Sequence, residues 1–346
     1  MTTQAHRFSL CLFAVLGLAA CKNGSGPGPD KRDTSEPKAG ASAEAKGAKR
    51  RTIAVIPKGT THEFWKSVHA GANKAARELG VDVTWKGPVR EDDRAEQVRV
   101  VEDFVARGVD GIVLAPLDDK ALIPSVKEAA ARKIPVVIID SDIAWEGRAS
   151  FVATDNVEAG AAAARRLAEL VGKKGRVAMM RYQEGSASTM AREKGFLGAL
   201  GKEFPDVRVV SENQYGGATT ETAYRTAENL LVREPELDGV FCPNESTTFG
   251  MLRALEDAKR TKKTRFVGFD ASTKLVEALT NGAIQGLVVQ DPFAMGERGL
   301  RAAVDRLDGK PVESRIDTGA TVVTLENLKE PKVAALLAPD LATFLP

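Results

Sequence analysis

The stretch Ile53-Ala54-Val55-Ile56-Pro57-Lys58-Gly59-Thr60-Thr61-His62-Glu63-Phe64-Trp65 joins an apolar strand to a polar loop and then to a predicted helix. In a doubly wound sheet the ligand crevice lies beyond the carboxyl ends of the parallel strands, so the residues after Ile56 face it. Two aromatic rings beside polar groups can cover the apolar face of a sugar while the polar groups bind its hydroxyls. Phe64 and Trp65 are equally compatible with the core of the first helix. We interpret the stretch as one wall of a pocket.

The same alternation of strand and helix continues along the chain. Unbroken apolar runs are separated by amphipathic stretches, and they lie at 111–115, 134–139, 176–180, 239–242, 265–269 and 284–289. This alternation is typical of parallel βαβ units with both sheet faces covered. The strands are too many for one compact open sheet. The sequence therefore predicts an α/β protein with two doubly wound parallel-sheet lobes.

Composition excludes several classes of protein. A chain of 346 residues fits a tail and two domains of ordinary size. Its 49 basic and 47 acidic residues give a formal net charge of +2, so no overall field attracts nucleic acid. The sequence contains none of the GxSxG, GxxxxGK[ST] or helix-opening GxGxxG motifs, and its three histidines do not have metal-site spacing. We expect a protein that is not an enzyme and holds no cofactor and no metal.

The amino terminus indicates export. Arg7 precedes an apolar run from Phe8 to Ala20, which predicts a signal peptide over residues 1–20. The sequence Leu18-Ala19-Ala20-Cys21 resembles the lipobox of bacterial lipoproteins, which would make Cys21 the lipidated first residue of the mature chain. An ordinary signal peptide, or an anchor helix with a chance cysteine, is the alternative. Residues 21–51 are rich in Gly, Ser, Pro, Ala and charged residues, and we expect a flexible tether there. The predicted location is the periplasm or cell envelope, lipid-anchored to a membrane.

Polar residues follow several apolar strands at the same structural point. They are Lys58, Asp140, Asn244, Asp270 and Gln290. Asp and Asn commonly cap the next helix, so each is open to that explanation. Gln is a poor cap and Lys is none, and the recurrence at one end of the strands favours a shared polar pocket. Carboxylates and amides match the donors and acceptors of adjacent sugar hydroxyls.

These residues occur within motifs that resemble a known family. The motifs are the loop ending Phe64-Trp65, the strand 134–140, Thr154-Asp155-Asn156, the segment 191–196, Asn244-Glu245, Val267-Gly268-Phe269-Asp270 and Val289-Gln290. From about Thr52 to Glu330 the chain resembles the type I periplasmic sugar-binding proteins of the ribose-binding class, the substrate receptors of ABC importers.

The resemblance implies a set of ligand-binding residues. They are Lys58, His62, Phe64, Trp65, Asp140, Ser141, Arg192, Tyr215, Asn244, Asp270 and Gln290. Spacing alone would make Arg192 an exposed helix residue. The chain departs from the ribose-type pattern at Ser141, where that pattern has arginine, and at Lys58 and His62, where it has a small polar residue and an asparagine. These departures argue against ribose itself.

The resemblance also implies an organisation and partners. It places an N-terminal lobe at 52–154 plus 291–317, a C-terminal lobe at 155–290 plus 318–330, and a tail at 331–346. Three crossings near Asp155, Asp291 and Thr318 would form a hinge. The expected partners are a monosaccharide or polyol and an ABC permease in the membrane, with the receptor a monomer that binds no nucleic acid.

The charges favour an uncharged ligand, since Lys58 and Arg192 offset Asp140 and Asp270. The nearby carboxylates Glu63, Asp142 and Glu245 leave an amino sugar open.

Other functions remain open on sequence alone. The closed receptor could be presented to a chemoreceptor or histidine kinase, which makes a sensor the alternative to transport. An exported enzyme acting on a small sugar is disfavoured by the missing catalytic motifs. A cytoplasmic repressor is disfavoured by the export signal and by the absence of a helix-turn-helix ahead of Thr52.

Overall fold

The computed structural model describes residues 50–345. The predicted signal peptide, Cys21 and the tether up to residue 49 lie outside them. Within 50–345 the chain forms twelve strands and ten helices, and none of those helices is both long and apolar enough to cross a bilayer. The strands are β1 (Thr52–Ile56), β2 (Asp82–Trp85), β3 (Gly111–Leu114), β4 (Val136–Ile139), β5 (Ser150–Ala153), β6 (Gly175–Arg181), β7 (Val207–Tyr215), β8 (Gly239–Phe241), β9 (Arg265–Phe269), β10 (Gly286–Gln290), β11 (Arg315–Asp317) and β12 (Ala320–Val323). The helices are α1 (Glu63–Leu79), α2 (Arg94–Arg107), α3 (Ile123–Ala131), α4 (Asn156–Leu170), α5 (Ala187–Glu203), α6 (Thr220–Arg233), α7 (Glu245–Asp257), α8 (Thr273–Thr280), α9 (Pro292–Leu307) and α10 (Pro331–Leu337).

The strands form two six-stranded sheets, ordered β11-β5-β4-β3-β1-β2 and β12-β10-β9-β8-β6-β7. Neighbouring strands are parallel in both sheets, except that β12 runs antiparallel to β10. Apolar clusters cover both faces of each sheet, as buried parallel strands require. The prediction of two doubly wound α/β lobes is confirmed.

We call the first sheet with α1, α2, α3 and α9 the N-lobe, and the second sheet with α4 to α8 the C-lobe. The chain passes between them three times: from β5 to α4, from β10 to α9, and from β11 to β12. Each passage is short, and the three lie where the resemblance predicts a hinge.

The sequence pattern does not reveal three elements. Strand β5 has only three consecutive apolar residues, and β11 is a short polar strand at a sheet edge, so neither shows a long apolar run. Helix α10 lies in the Pro-punctuated C-terminal segment. Its Val333 packs into the C-lobe core, whereas Phe344 contacts the N-lobe, where Asn73 Nδ2 donates to the Phe344 carbonyl at 2.8 Å and the Phe293 ring centroid lies 5.9 Å away. The end of the chain thus packs against both lobes.

Glycines allow helix pairs to approach closely in each lobe. In the C-lobe, a Cβ on Gly195 of α5 would overlap the Val157 carbonyl of α4. In the N-lobe, a Cβ on Gly296 of α9 would overlap the Val68 carbonyl of α1. The spacing of these helices is therefore set by backbone-to-backbone contact.

We expect Gly195→Ala to lower the free energy of unfolding by about 2 kcal/mol, because its methyl group must push α4 and α5 apart. Gly198→Ala is the matched control, since it lies in the same helix and a Cβ there meets no atom within 4 Å. It should stabilise the protein by up to about 1 kcal/mol through helix propensity. Urea denaturation of both variants measures the difference, and equal effects would contradict the close approach.

Candidate ligand-binding cleft

A cavity lies between the two lobes, beyond the carboxyl ends of strands from both sheets. The two lobes contact each other around this cavity, so the structure shows the cleft in its closed form. The cavity is lined by Lys58, His62, Phe64, Trp65, Glu91, Asp140, Tyr182, Ser188, Thr189, Arg192, Asn244, Glu245, Asp270 and Gln290.

Two cavity carboxylates end strands at equivalent places in the two lobes. Asp140 directly follows β4 and Asp270 directly follows β9. Both have left-handed backbone, with φ of 61° and 68°. Asp tolerates this region better than most residues, but a non-glycine residue there still carries strain of about 1–3 kcal/mol. Strain of this kind concentrates at functional sites, so its repetition at the cavity indicates a constraint from the site.

A buried ion pair joins the carboxyl ends of β1 and β4. Lys58 Nζ lies 2.6 Å from Asp140 Oδ2, and both side chains are about 5% exposed. The ammonium also donates to the hydroxyls of Ser188, at 3.1 Å, and Ser186, at 3.5 Å, at the start of α5. The Lys58 ammonium is therefore held by one ion pair and two hydrogen bonds, and both hydrogen-bond partners belong to the opposite lobe.

Arg192 is buried, contrary to what its spacing alone would predict. Its Nε donates to Asn156 Oδ1 at 2.8 Å and its Nη1 to the Pro243 carbonyl at 2.9 Å. The guanidinium carbon lies 4.0 Å from the centroid of the Phe269 ring. Nη2 is 3.9 Å from Asp140 Oδ1 and has no hydrogen-bond partner among residues 50–345. The rigid guanidinium thus has one nitrogen, Nη2, that donates to no residue of the described chain.

The C-lobe supplies acceptors. Asp270 accepts from Gln290 Nε2 at 2.7 Å and from the Glu245 amide at 3.0 Å. Gln290 Oε1 is buried and has no hydrogen-bond partner in the described part of the chain. Asn244 caps α7, as its side chain accepts from the Thr247 amide. Asn244 therefore serves as a helix cap and also lines the cavity.

The aromatic residues of the opening stretch pack into the N-lobe core and line the cavity as well. The rings of Phe64 and Trp65 meet edge to face, with centroids 4.8 Å apart. Phe64 and Trp65 are therefore both core residues and cavity-lining residues, because a ring can bury one face in the core and present another to the cavity.

A carboxylate from the loop between β2 and α2 completes the N-lobe wall. Glu91 Oε1 accepts from Trp65 Nε1 at 2.5 Å and lies 3.0 Å from His62 Nδ1. Burial is the largest single influence on the pKa of His62 and lowers it. The charge and hydrogen bond of Glu91, with the charges of Glu245 and Asp270, together outweigh burial and raise that pKa to about 9. Burial raises the pKa of Glu91, but the charges of His62 and Lys58 and the hydrogen bonds with His62 and Tyr182 together outweigh burial and lower that pKa to about 2. The pair is ionised at neutral pH.

For the two C-lobe carboxyl groups the net pKa shift is upward, because burial outweighs the charges that oppose it. Burial raises the pKa of Glu245 to about 7, with the His62 charge opposing the shift. Burial also raises the pKa of Asp270, although Arg192 and Gln290 oppose it. Ionising both groups is therefore less favourable than it is in water.

The structure brings together nine of the eleven residues predicted as ligand contacts. Ser141 and Tyr215 do not line the cavity. Ser141 Oγ accepts from the Ser188 amide at 2.9 Å, which places it behind the lining. Tyr215 ends the edge strand β7, is 39% exposed and lies beside Arg181. An edge strand ends away from the centre of the cleft, which explains the position of Tyr215.

Five lining residues are absent from the predicted set: Glu91, Tyr182, Ser188, Thr189 and Glu245. Tyr182 and Glu91 follow the strands β6 and β2, so the rule that ligands bind beyond strand ends could have found them. Within residues 50–345, no group of three or more metal-binding side chains comes together.

Fold and cavity define a two-lobed binding protein that encloses a small polar ligand. The chain matches the model of a periplasmic binding protein domain over residues 53–311, and it belongs to that family. It is of type I, in the ribose-binding class, as its motifs predict.

Curated relatives and solved structures cover most of the chain. It is 29% identical over 268 residues to the ribose import binding protein of Bacillus subtilis, which covers 78% of this chain and 85% of that one. It is 30% identical over 263 residues to the D-allose-binding periplasmic protein of Escherichia coli, covering 73% and 83%. A carbohydrate transporter solute binding protein from Agrobacterium radiobacter, in complex with D-arabinose, superposes with a TM-score of 0.81 at 35% identity, covering 84% and 99%. A solute binding protein from Agrobacterium vitis with bound D-fucose superposes with a TM-score of 0.80 at 36% sequence identity. The match covers 83% of this chain and 100% of that one.

We expect Lys58→Met to lower the free energy of unfolding by about 3 kcal/mol, because it removes the nearer cation from the buried Asp140 carboxylate and leaves only Arg192 Nη2 at 3.9 Å. The double variant Lys58→Met/Asp140→Asn is the control. Asn tolerates the left-handed backbone at 140 and removes the unpaired charge, so the double variant should recover part of the loss. Chemical denaturation compares them, and a single variant as stable as the double would contradict the interaction.

Proposed function

We propose that the protein captures a monosaccharide or polyol between its lobes and delivers it to an ABC importer. One observation carries this proposal: Arg192 Nη2 and Gln290 Oε1 are buried in the cavity wall and have no hydrogen-bond partner within residues 50–345. Leaving such groups unpaired costs about 1–3 kcal/mol each. A sugar hydroxyl both donates and accepts, so adjacent hydroxyls satisfy both groups.

The charges in the cavity wall support an uncharged ligand. Three basic side chains in the wall, Lys58, His62 and Arg192, face the carboxyl groups of Glu91, Asp140 and Asp270, and the His62–Glu91 pair is ionised at neutral pH. Glu245, with a pKa of about 7, is half protonated there. A charged ligand would add an unbalanced charge to a buried site, which is costly.

The position of the cavity supports capture by closure. Its wall draws side chains from both lobes, so the full set of contacts exists only when the lobes are closed, and a ligand shifts the population toward that state. The solved relatives in complex with D-arabinose and with D-fucose support a sugar as the ligand. The permease would bind the closed form.

Membership of a family of periplasmic proteins supports a location outside the cytoplasm. The lipobox-like Leu18-Ala19-Ala20-Cys21 supports a lipid anchor at Cys21. The spacer up to Arg51 would let the folded part reach a permease in the same membrane.

The test is a panel of D-ribose, D-allose, D-arabinose, D-fucose and xylitol, screened by thermal shift and then by calorimetry. At least one should bind with 1:1 stoichiometry. Asp270→Asn should weaken that binding by more than about tenfold, because the amide replaces a charged acceptor while Asn keeps the left-handed backbone.

Asp308→Asn, at the exposed end of α9, is the control and should bind as the unchanged protein does. Binding by Asp270→Asn at full affinity, or failure of the whole panel, would contradict the proposal. Conversion of a bound sugar into a product would also contradict it. Loss of sugar uptake in a deletion strain distinguishes import from a purely sensory role.

A further inference from the structure

Glu91 bridges the two lobes at one end of the cavity. Its Oε1 accepts a hydrogen bond from Trp65 Nε1 and faces His62 Nδ1 within the N-lobe. Its Oε2 accepts from the Tyr182 hydroxyl of the C-lobe at 2.5 Å. Its backbone carbonyl accepts from Gln183 Nε2 at 2.9 Å. Both carboxylate oxygens are thus occupied, so Glu91 has little left to offer a ligand directly.

We propose that Glu91 is a positioning residue, which holds His62 as a hydrogen-bond donor toward the sugar and joins it to Tyr182 when the cleft closes. This role rests on the proposed function. Geometry supports it, because the Glu91 carboxylate is buried and sits against Nδ1, so it fixes which ring nitrogen faces the protein. Nε2 of His62 makes no hydrogen bond to any residue of 50–345 and is the nitrogen left for a ligand.

The charged groups around His62 decide its protonation. Glu91 faces it from the β2–α2 loop, Glu245 from the start of α7 and Asp270 from the end of β9, and all three favour the imidazolium. Lys58 acts on the same network by stabilising the Glu91 carboxylate. Burial alone opposes the charge. Removing Glu91 therefore removes the largest stabilising charge and leaves burial against two carboxylates that are themselves harder to ionise.

This arrangement restricts the ligand. An imidazolium donates from both nitrogens and accepts from neither. With Nδ1 committed to Glu91, the site requires a lone pair from the sugar beside His62, from a ring oxygen or a hydroxyl acting as acceptor. A neutral imidazole could accept instead, so the Glu91 charge determines which hydrogen-bond pattern the site selects.

The first measurement needs no sugar. NMR titration of the histidine C2–H signals, assigned with His62→Gln, should place the His62 pKa well above 6.5 in the unchanged protein, and Glu91→Gln should lower it. His69, stacked on Trp85 at 4.3 Å between centroids, is an internal control and should not move. A His62 pKa at or below 6.5, or one unaffected by Glu91→Gln, would overturn the proposal even if no sugar of the panel binds.

The second measurement is the affinity for the panel sugar that binds most tightly, at about pH 6 and about pH 8. Relative to the unchanged protein, Glu91→Gln should lose about tenfold more affinity at the higher pH, where its His62 is neutral. The ratio of the dissociation constants of Glu91→Gln and the unchanged protein is compared at each pH, because Glu245 titrates in both proteins between these pH values. Tyr182→Phe removes the bond across the cleft but keeps the Glu91 charge, so it should weaken binding equally at both pH values.

Parallel profiles for Glu91→Gln and Tyr182→Phe would overturn the role of Glu91 in charging His62 and leave it a merely structural carboxylate. Failure of every sugar to bind the unchanged protein would instead refute the proposed function, while the sugar-free titration still decides whether Glu91 controls His62.

Discussion

Charges buried between two lobes must be matched by opposite charges, and this constraint organises the cleft. Lys58 lies 2.6 Å from Asp140, and His62 lies 3.0 Å from Glu91. Each pair comes from loops after different strands of the N-lobe sheet, so the sheet must bring those strand ends together before either pair can form. Removing one partner would leave an unpaired charge in a buried site, which costs several kcal/mol. Most charged groups of the lining are therefore matched, whereas a donor of Arg192 and an acceptor of Gln290 have no hydrogen-bond partner within residues 50–345.

The two lobes share two structural features. Each ends a central strand with an aspartate in left-handed backbone, and each packs one helix pair at backbone contact through glycine. The lobes differ in their charges: the N-lobe carboxylates face cations, while Asp270 and Glu245 of the C-lobe have raised pKa values. A ligand between the lobes thus meets ion pairs on one side and less readily ionised acceptors on the other. The C-terminal segment adds a contact to both lobes beside the hinge, through Val333 and Phe344.

The two-lobed α/β fold was predictable because long apolar strands alternate with amphipathic helices along the chain. Strands β5 and β11 were not, since they are short and owe their place to neighbouring strands. Nine lining residues were predictable from strand ends and family motifs. Glu91 and Tyr182 lie after the strands β2 and β6, so their place at the cleft was open to the strand-end rule. Their contact with each other across the cleft is not encoded in spacing. Tyr215 was placed in the site by a loose motif match, whereas its strand lies at the sheet edge. Burial of Arg192 depends on close packing of α4 on α5, and a helical position alone does not show it.

The most direct measurement of the central claim is a crystal structure of the protein grown with the panel sugar that binds most tightly. The account predicts one sugar ring in the cavity between the lobes, stacked beside Trp65, with hydroxyls within hydrogen-bond distance of Arg192 Nη2 and Gln290 Oε1. A sugar bound elsewhere on the protein, or a cavity that keeps those two atoms unpaired while sugar saturates the protein, would contradict it.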